Sequence, residues 1–79
     1  MEKQEMIDKL RPAIAEEFEL EEDQLALDAP IKETLDLDSL SLVDLIALIE
    51  AQTGVKPKGV EVSQIRTFEE LYDFIFARL

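Results

Sequence analysis

Between Leu40 and Ile49 only Ser41 and Asp44 are polar, and neither Gly nor Pro breaks the run before Gly54. Such a stretch reads as a helix over about 39–52, stopped at Gly54, a good C-cap residue. At about 100° per residue its side chains fall into two stripes. Leu42, Leu45, Ile46 and Ile49 lie within about 100° of one another, the width of a face packed on a core. Leu40, Val43 and Ala47 form a second stripe on roughly the opposite side. A helix that is apolar nearly all round asks for burial all round, which a chain of 79 residues has no interior to provide. The second stripe is therefore expected to face solvent or a partner, edged by the carboxylates of Asp38, Asp44 and Glu50.

Ser39 stands at the N-terminus of this helix. The first backbone N–H groups of a helix lack internal partners and the macrodipole adds partial positive charge, so a phosphate attached there is favoured. Capping suits the same address, since Ser and Asp are both frequent N-caps. With no His and no Cys, Ser39 has no usual base to activate it and no Cys nucleophile is available, so another protein must perform any modification. No enzyme activity is expected of the chain itself. Asp36 and Asp38 would need an enclosing pocket that splits their pKa values before they could act as acid and base. No metal site is expected either: a calcium loop counted from Asp36 meets Leu40 at its fifth position, Ser41 where Gly is required and Ala47 where Glu is required. Two glycines are too few for a phosphate-cradling loop.

The remaining segments predict an all-α fold. Met6, Ile7, Leu10, Ile14 and Phe18 recur at helical spacing, giving a first helix over about 3–18. Pro12 is expected to kink it or delay its start. Residues 19–37 form a long loop, anchored by Leu20, Leu25, Leu27, Ile31 and Leu35 with a turn at Asp28-Ala29-Pro30. Val60, Val62 and Ile65 suggest a short third helix, although β-branched residues suit an extended piece equally. Thr67-Phe68-Glu69-Glu70 reads as a capping box, after which Phe68, Leu71, Tyr72, Ile75, Phe76 and Leu79 follow at helical spacing. The expectation is one domain over residues 1–79: a small four-helix bundle of three main helices and one short helix, with a long loop between the first two.

The net charge of −11 disfavours nucleic acid and anionic membranes and suits cationic patches on other proteins. The acidic run from Glu16 to Asp23 reads as a solvated helix end. No segment approaches the roughly 20 apolar residues of a membrane span, and no basic, apolar leader pattern is seen. Together with the absence of cysteine, this suits the cytoplasm; a monomer is expected.

These residues resemble the phosphopantetheine-dependent acyl carrier family. Asp38-Ser39-Leu40 matches its Asp-Ser-Leu motif, Ile31 falls at its usual Phe and Leu35 at its recurring Leu, and Ile65-Arg66-Thr67 resembles its Ile-Thr-Thr lead-in to the last helix. The similarity runs from about Met6 to Ile75. It implies that Ser39 carries covalent 4′-phosphopantetheine, whose thiol holds acyl intermediates as thioesters for enzymes of fatty-acid or polyketide type. It further implies partner recognition through Asp38, Leu40, Val43, Asp44, Ala47 and Glu50, and an acyl pocket lined by Leu45, Ile46, Ile65 and Phe68. The partners would be a phosphopantetheinyl transferase and acyl-loading and acyl-processing enzymes with basic docking patches. A stand-alone aminoacyl or peptidyl carrier and an unmodified acidic helical interaction module are the alternatives. Asp36 replaces a frequent Gly, Ser41 a frequent acid and Thr53 a frequent apolar residue; Lys56-Pro57-Lys58-Gly59-Val60 replaces a segment usually acidic in bacterial fatty-acid carriers. The two lysines point to a specialised carrier with its own partners.

Overall fold

The computed structural model describes residues 2–79. Its helices are α1 (Lys3–Glu17), α2 (Ile31–Leu35), α3 (Ser39–Thr53), α4 (Gly59–Ser63) and α5 (Phe68–Phe76), with a 3-10 turn at Glu22–Gln24. Among the described residues the one β-type pairing is an isolated bridge between Pro30 and Thr67. The all-α bundle of three main helices with a short α4 is as expected, and the long connection carries two short helical pieces in addition.

Met6, Leu10 and Ile14 stand four residues apart on α1 and are fully buried, which is the geometry of a helix face turned to a core. That face packs against both α3 and α5. Pro12 does not delay the helix, which runs through it from Lys3 to Glu17. Proline removes one intrahelical hydrogen bond, but Pro12 is exposed and its ring leaves the packed face undisturbed. The helix ends with the Leu20 N–H donating to the Ala15 carbonyl at 2.8 Å and the Glu19 N–H to Glu16 at 3.3 Å. This is a Schellman ending, and it holds Glu19 at φ 57°, where glycine is the usual occupant.

Leu25, Ile31 and Leu35 anchor the connection by burial, and Leu20 is half-buried. Leu27 does not: its side chain is 46% exposed, and it is the Leu27 carbonyl that holds the loop, accepting from Glu69 N–H at 2.9 Å. Ile31 N–H donates to Arg66 at 3.0 Å and Phe68 N–H to Ala29 at 3.4 Å. The loop is thus strapped to the start of α5. Its tight turn lies at residues 26–29, closed by Ala29 N–H to the Ala26 carbonyl, slightly ahead of the expected position.

α3 ends at Gly54, whose φ of 81° is the left-handed conformation that glycine adopts without penalty. Thr53 reinforces this end, its hydroxyl donating to the Ile49 carbonyl at 2.7 Å and accepting from Val55 N–H at 3.2 Å. α4 is helical rather than extended, with Val62 buried and Val60 exposed. α5 buries Phe68, Leu71, Tyr72 and Ile75 completely, whereas Phe76 and Leu79, expected on the same face, are 41% and 49% exposed, Leu79 lying beyond the helix end at Phe76. Only half of the expected capping box forms: Glu70 N–H donates to Thr67 Oγ1 at 3.3 Å, but the Glu70 carboxylate takes the Arg66 N–H rather than that of Thr67.

Candidate functional site

Ser39 is placed by three consecutive backbone decisions. α2 closes at Asp36, which sits at φ 51° and ψ 53°, reversing the chain. Leu37 turns its side chain partly inward, and its N–H donates to the Lys32 carbonyl at 3.0 Å. Asp38 is then extended, at φ −115° and ψ −172°, and α3 begins at Ser39.

The cap belongs to Asp38. Its Oδ1 accepts from the Ser41 N–H at 2.8 Å, satisfying one of the orphan donors of the first turn. That hydrogen bond, with smaller help from the Ser41 hydroxyl and the Leu40 N–H, holds the Asp38 carboxyl below its ordinary pKa of 3.8. Ser39 is exposed, and its hydroxyl takes part in no hydrogen bond among the described residues. The two residues able to cap have therefore separated, one capping and the other left with a free hydroxyl at a helix N-terminus.

The second stripe is laid bare on α3. Leu40 is 74% and Val43 62% exposed, and Ala47, Asp38, Asp44 and Glu50 are exposed as well. Of the residues expected to line an acyl pocket, Leu45 and Phe68 are fully buried and Ile65 nearly so, all three inside the closed core. Ile46 reaches a surface concavity of about 530 Å³, bordered by Val43, Lys56, Pro57, Lys58 and Gly59, and Ile65 touches the edge of a smaller one of about 200 Å³ with Lys32, Ser63 and Arg66. A third concavity of about 250 Å³ adjoins Ser39 itself, between the start of α3 and α4, and is lined by Lys32, Leu37, Leu42 and Val62 beside Asp38 and Ser63. Leu42, assigned to the core face, and Val62, assigned to the short helix, were not expected at the site. Leu42 stands three residues after Ser39 and so shares its side of the helix, a spacing that could have identified it.

The charges are segregated. From Asp36 to Thr53 the acids Asp36, Asp38, Asp44 and Glu50 meet no cation in sequence, whereas Lys56, Lys58 and Arg66 follow within the next thirteen residues. Among the described residues no group of three acidic side chains converges as a metal site would require, and no helix is long and apolar enough to cross a membrane.

The profile of a family described as Phosphopantetheine attachment site matches residues 8–75. The chain is 34% identical over 79 residues to an acyl carrier protein of Petrotoga mobilis, covering all of this chain and 93% of the relative. It is 31% identical over 75 residues to an acyl carrier protein of Rubrobacter xylanophilus, covering 95% of this chain and 93% of the relative. A third, from Thermotoga maritima, is 30% identical over 77 residues, with 98% of this chain and 95% of the relative covered.

Proposed function

The chain belongs to the phosphopantetheine-attachment family of acyl carrier proteins, and from that premise we propose that Ser39 is the attachment residue, joined through its hydroxyl to 4′-phosphopantetheine. The protein is a carrier rather than a catalyst, and it works with modifying and acyl-processing enzymes. The observation that carries the assignment is the division of labour at the start of α3: Asp38 makes the cap, so the Ser39 hydroxyl is exposed at an end of the helix that favours phosphate. Substituting Ser39 therefore removes the acceptor without removing the cap.

In the attachment step the Ser39 Oγ takes the phosphopantetheinyl group of coenzyme A. One P–O bond forms, the pyrophosphate P–O bond breaks, adenosine 3′,5′-bisphosphate leaves, and the serine proton passes to a base of the transferase, since this chain has no His or Cys. When bound, the arm supplies a thiol that holds acyl groups as thioesters. Leu40, Val43 and Ala47 give a partner an apolar contact strip, and Asp38, Asp44 and Glu50 steer a basic patch toward it, which raises encounter rate and selectivity more than affinity. The Leu42/Val62 concavity beside Ser39 offers the first apolar shelter for a cargo returning to the protein. The buried Leu45, Ile65 and Phe68 would line a pocket only if α3 and α4 part.

Residues 1–79 act as one carrier domain, monomeric and in the cytoplasm; a core shared by α1, α3, α4 and α5 supports the first point, and a chain without cysteine suits a reducing compartment. Mass spectrometry after incubation with coenzyme A and a broad-specificity phosphopantetheinyl transferase is the test. Addition of one phosphopantetheine to the unsubstituted chain, and none to Ser39→Ala, is expected. Equal addition to both removes the assignment to Ser39, and none to either removes the carrier reading and leaves an interaction module.

A further inference from the structure

Seven of the eight cations of this acidic chain fall into two groups; the eighth, Lys9, is exposed on α1. Lys3 pairs with Asp73, Arg11 donates to the Glu22 carbonyl at 3.0 Å, and Arg78 reaches Glu61 at 3.7 Å while stacking on Phe74. Lys32, Lys56, Lys58 and Arg66 are exposed and make no ion pair or side-chain hydrogen bond among the described residues. All four flank α4. Lys32 and Arg66 border a concavity of about 200 Å³ with Ser63 and Ile65, and Lys56 and Lys58 border the larger groove with Val43, Ile46, Pro57 and Gly59. The one acid within 54–66 is Glu61, and its carboxylate is engaged by the Lys58 N–H at 2.9 Å and by Arg78.

Val43 therefore stands on a boundary. At about 100° per residue Asp44 lies on one side of Val43, while Glu50 falls between Val43 and Ile46 on the face that runs into a groove whose rim is two unpaired ammonium groups. A uniformly basic partner would bring its cations against Lys56 and Lys58, and like charges set opposite each other at an interface are costly. We propose that the acyl enzyme serving this carrier seats an apolar side chain in the Val43/Ile46/Pro57 groove and sets a carboxylate against Lys56 and Lys58, while its basic residues meet Asp44 and Glu50. Partner choice is then read from two charges of opposite sign, and the lysine pair rejects enzymes whose patch is basic throughout. This rests on the carrier reading of Ser39.

The test uses the holo-chain, its phosphopantetheine confirmed by mass, so that failure of the carrier reading shows before a partner is offered. The probe is a housekeeping fatty-acid acyltransferase chosen for a uniformly basic docking patch, together with variants of it bearing single basic-to-Glu substitutions across that patch. With the unaltered enzyme, Lys56→Glu/Lys58→Glu should lower the KM for the carrier about 5–10-fold with kcat unchanged. At least one Glu-bearing enzyme variant should reverse that order, favouring the chain that keeps its lysines. A gain of this kind cannot come from misfolding. Equal KM values for the two carriers, no turnover with either, or the absence of any enzyme variant that prefers the lysines would overturn the proposal.

Discussion

Asp38 Oδ1 holds the Ser41 N–H at 2.8 Å across Ser39 and Leu40, both exposed in the first turn of α3. Stability and attachment are therefore separable at neighbouring positions. Asp38→Ala should lower the melting temperature by a few degrees, whereas Ser39→Ala leaves it within about 1 °C, being a surface change with no hydrogen bond to lose. The sign of the pH dependence follows from the lowered carboxyl pKa: the folded state binds this proton less readily than the unfolded state. The contribution is fully present above the ordinary pKa of 3.8 and is lost as pH falls through the lower folded value. Acid melts of the native chain and Asp38→Ala should converge in that range.

Two non-glycine residues sit in the left-handed region, Glu19 at φ 57° and Asp36 at φ 51°. A side chain with a Cβ pays steric energy there, of about 1–2 kcal/mol in regular left-handed structure and less for Asp. Glu19→Gly is expected to stabilise by about 1 kcal/mol and Asp36→Gly by less. Chemical denaturation of both variants checks the order; a loss of stability in Glu19→Gly would contradict the account of the α1 terminus.

The Tyr72 hydroxyl is buried with no hydrogen-bond partner among the described residues. Burial pushes its pKa from 10.0 up to about 12, with Glu22 adding to the rise and Arg11 opposing it. Tyr72→Phe removes an unsatisfied polar atom and keeps the ring, so it should match or exceed the native stability by about 1 kcal/mol. Between pH 10 and about 12 the folded chain retains a proton that the unfolded chain has lost, so native stability falls as pH rises through that window. The Phe variant should lack this component of the alkaline loss.

The two stripes of α3 predict opposite phenotypes. Leu45→Ala, in the core, should cost about 2–5 kcal/mol by cavity formation, with carrier activity following the folded fraction. Val43→Ala should change stability by no more than about 0.5 kcal/mol while raising the KM of acyl-processing enzymes for the holo-protein. Thermal melts and steady-state kinetics on the same two samples separate the roles.

Sequence periodicity identified α3 because its apolar residues are many and Gly54 marks its end, and α5 because Thr67 and the run from Phe68 to Ile75 agree. It missed α2 and the 3-10 turn, which at five and three residues are too short to display a period. At Pro12 the expected late start did not occur, because a local preference, one lost hydrogen bond, is outweighed by the buried face of Met6, Leu10 and Ile14. At the site, Asp38 and Ser39 are equally plausible caps on residue type, and only the extended backbone at Asp38 distinguishes them. Leu42 reads as core by its angle, yet in so small a bundle that angle ends at the rim beside Ser39.

The strap that joins Leu27, Ala29 and Ile31 to Arg66, Phe68 and Glu69 imposes an order on biosynthesis. Until the ribosome has delivered the lead-in to α5, the stretch preceding α2 lacks the partners that fix its path. A nascent or truncated chain ending before Arg66 thus contains Asp38-Ser39-Leu40 while the segment ahead of α2 is still unstrapped.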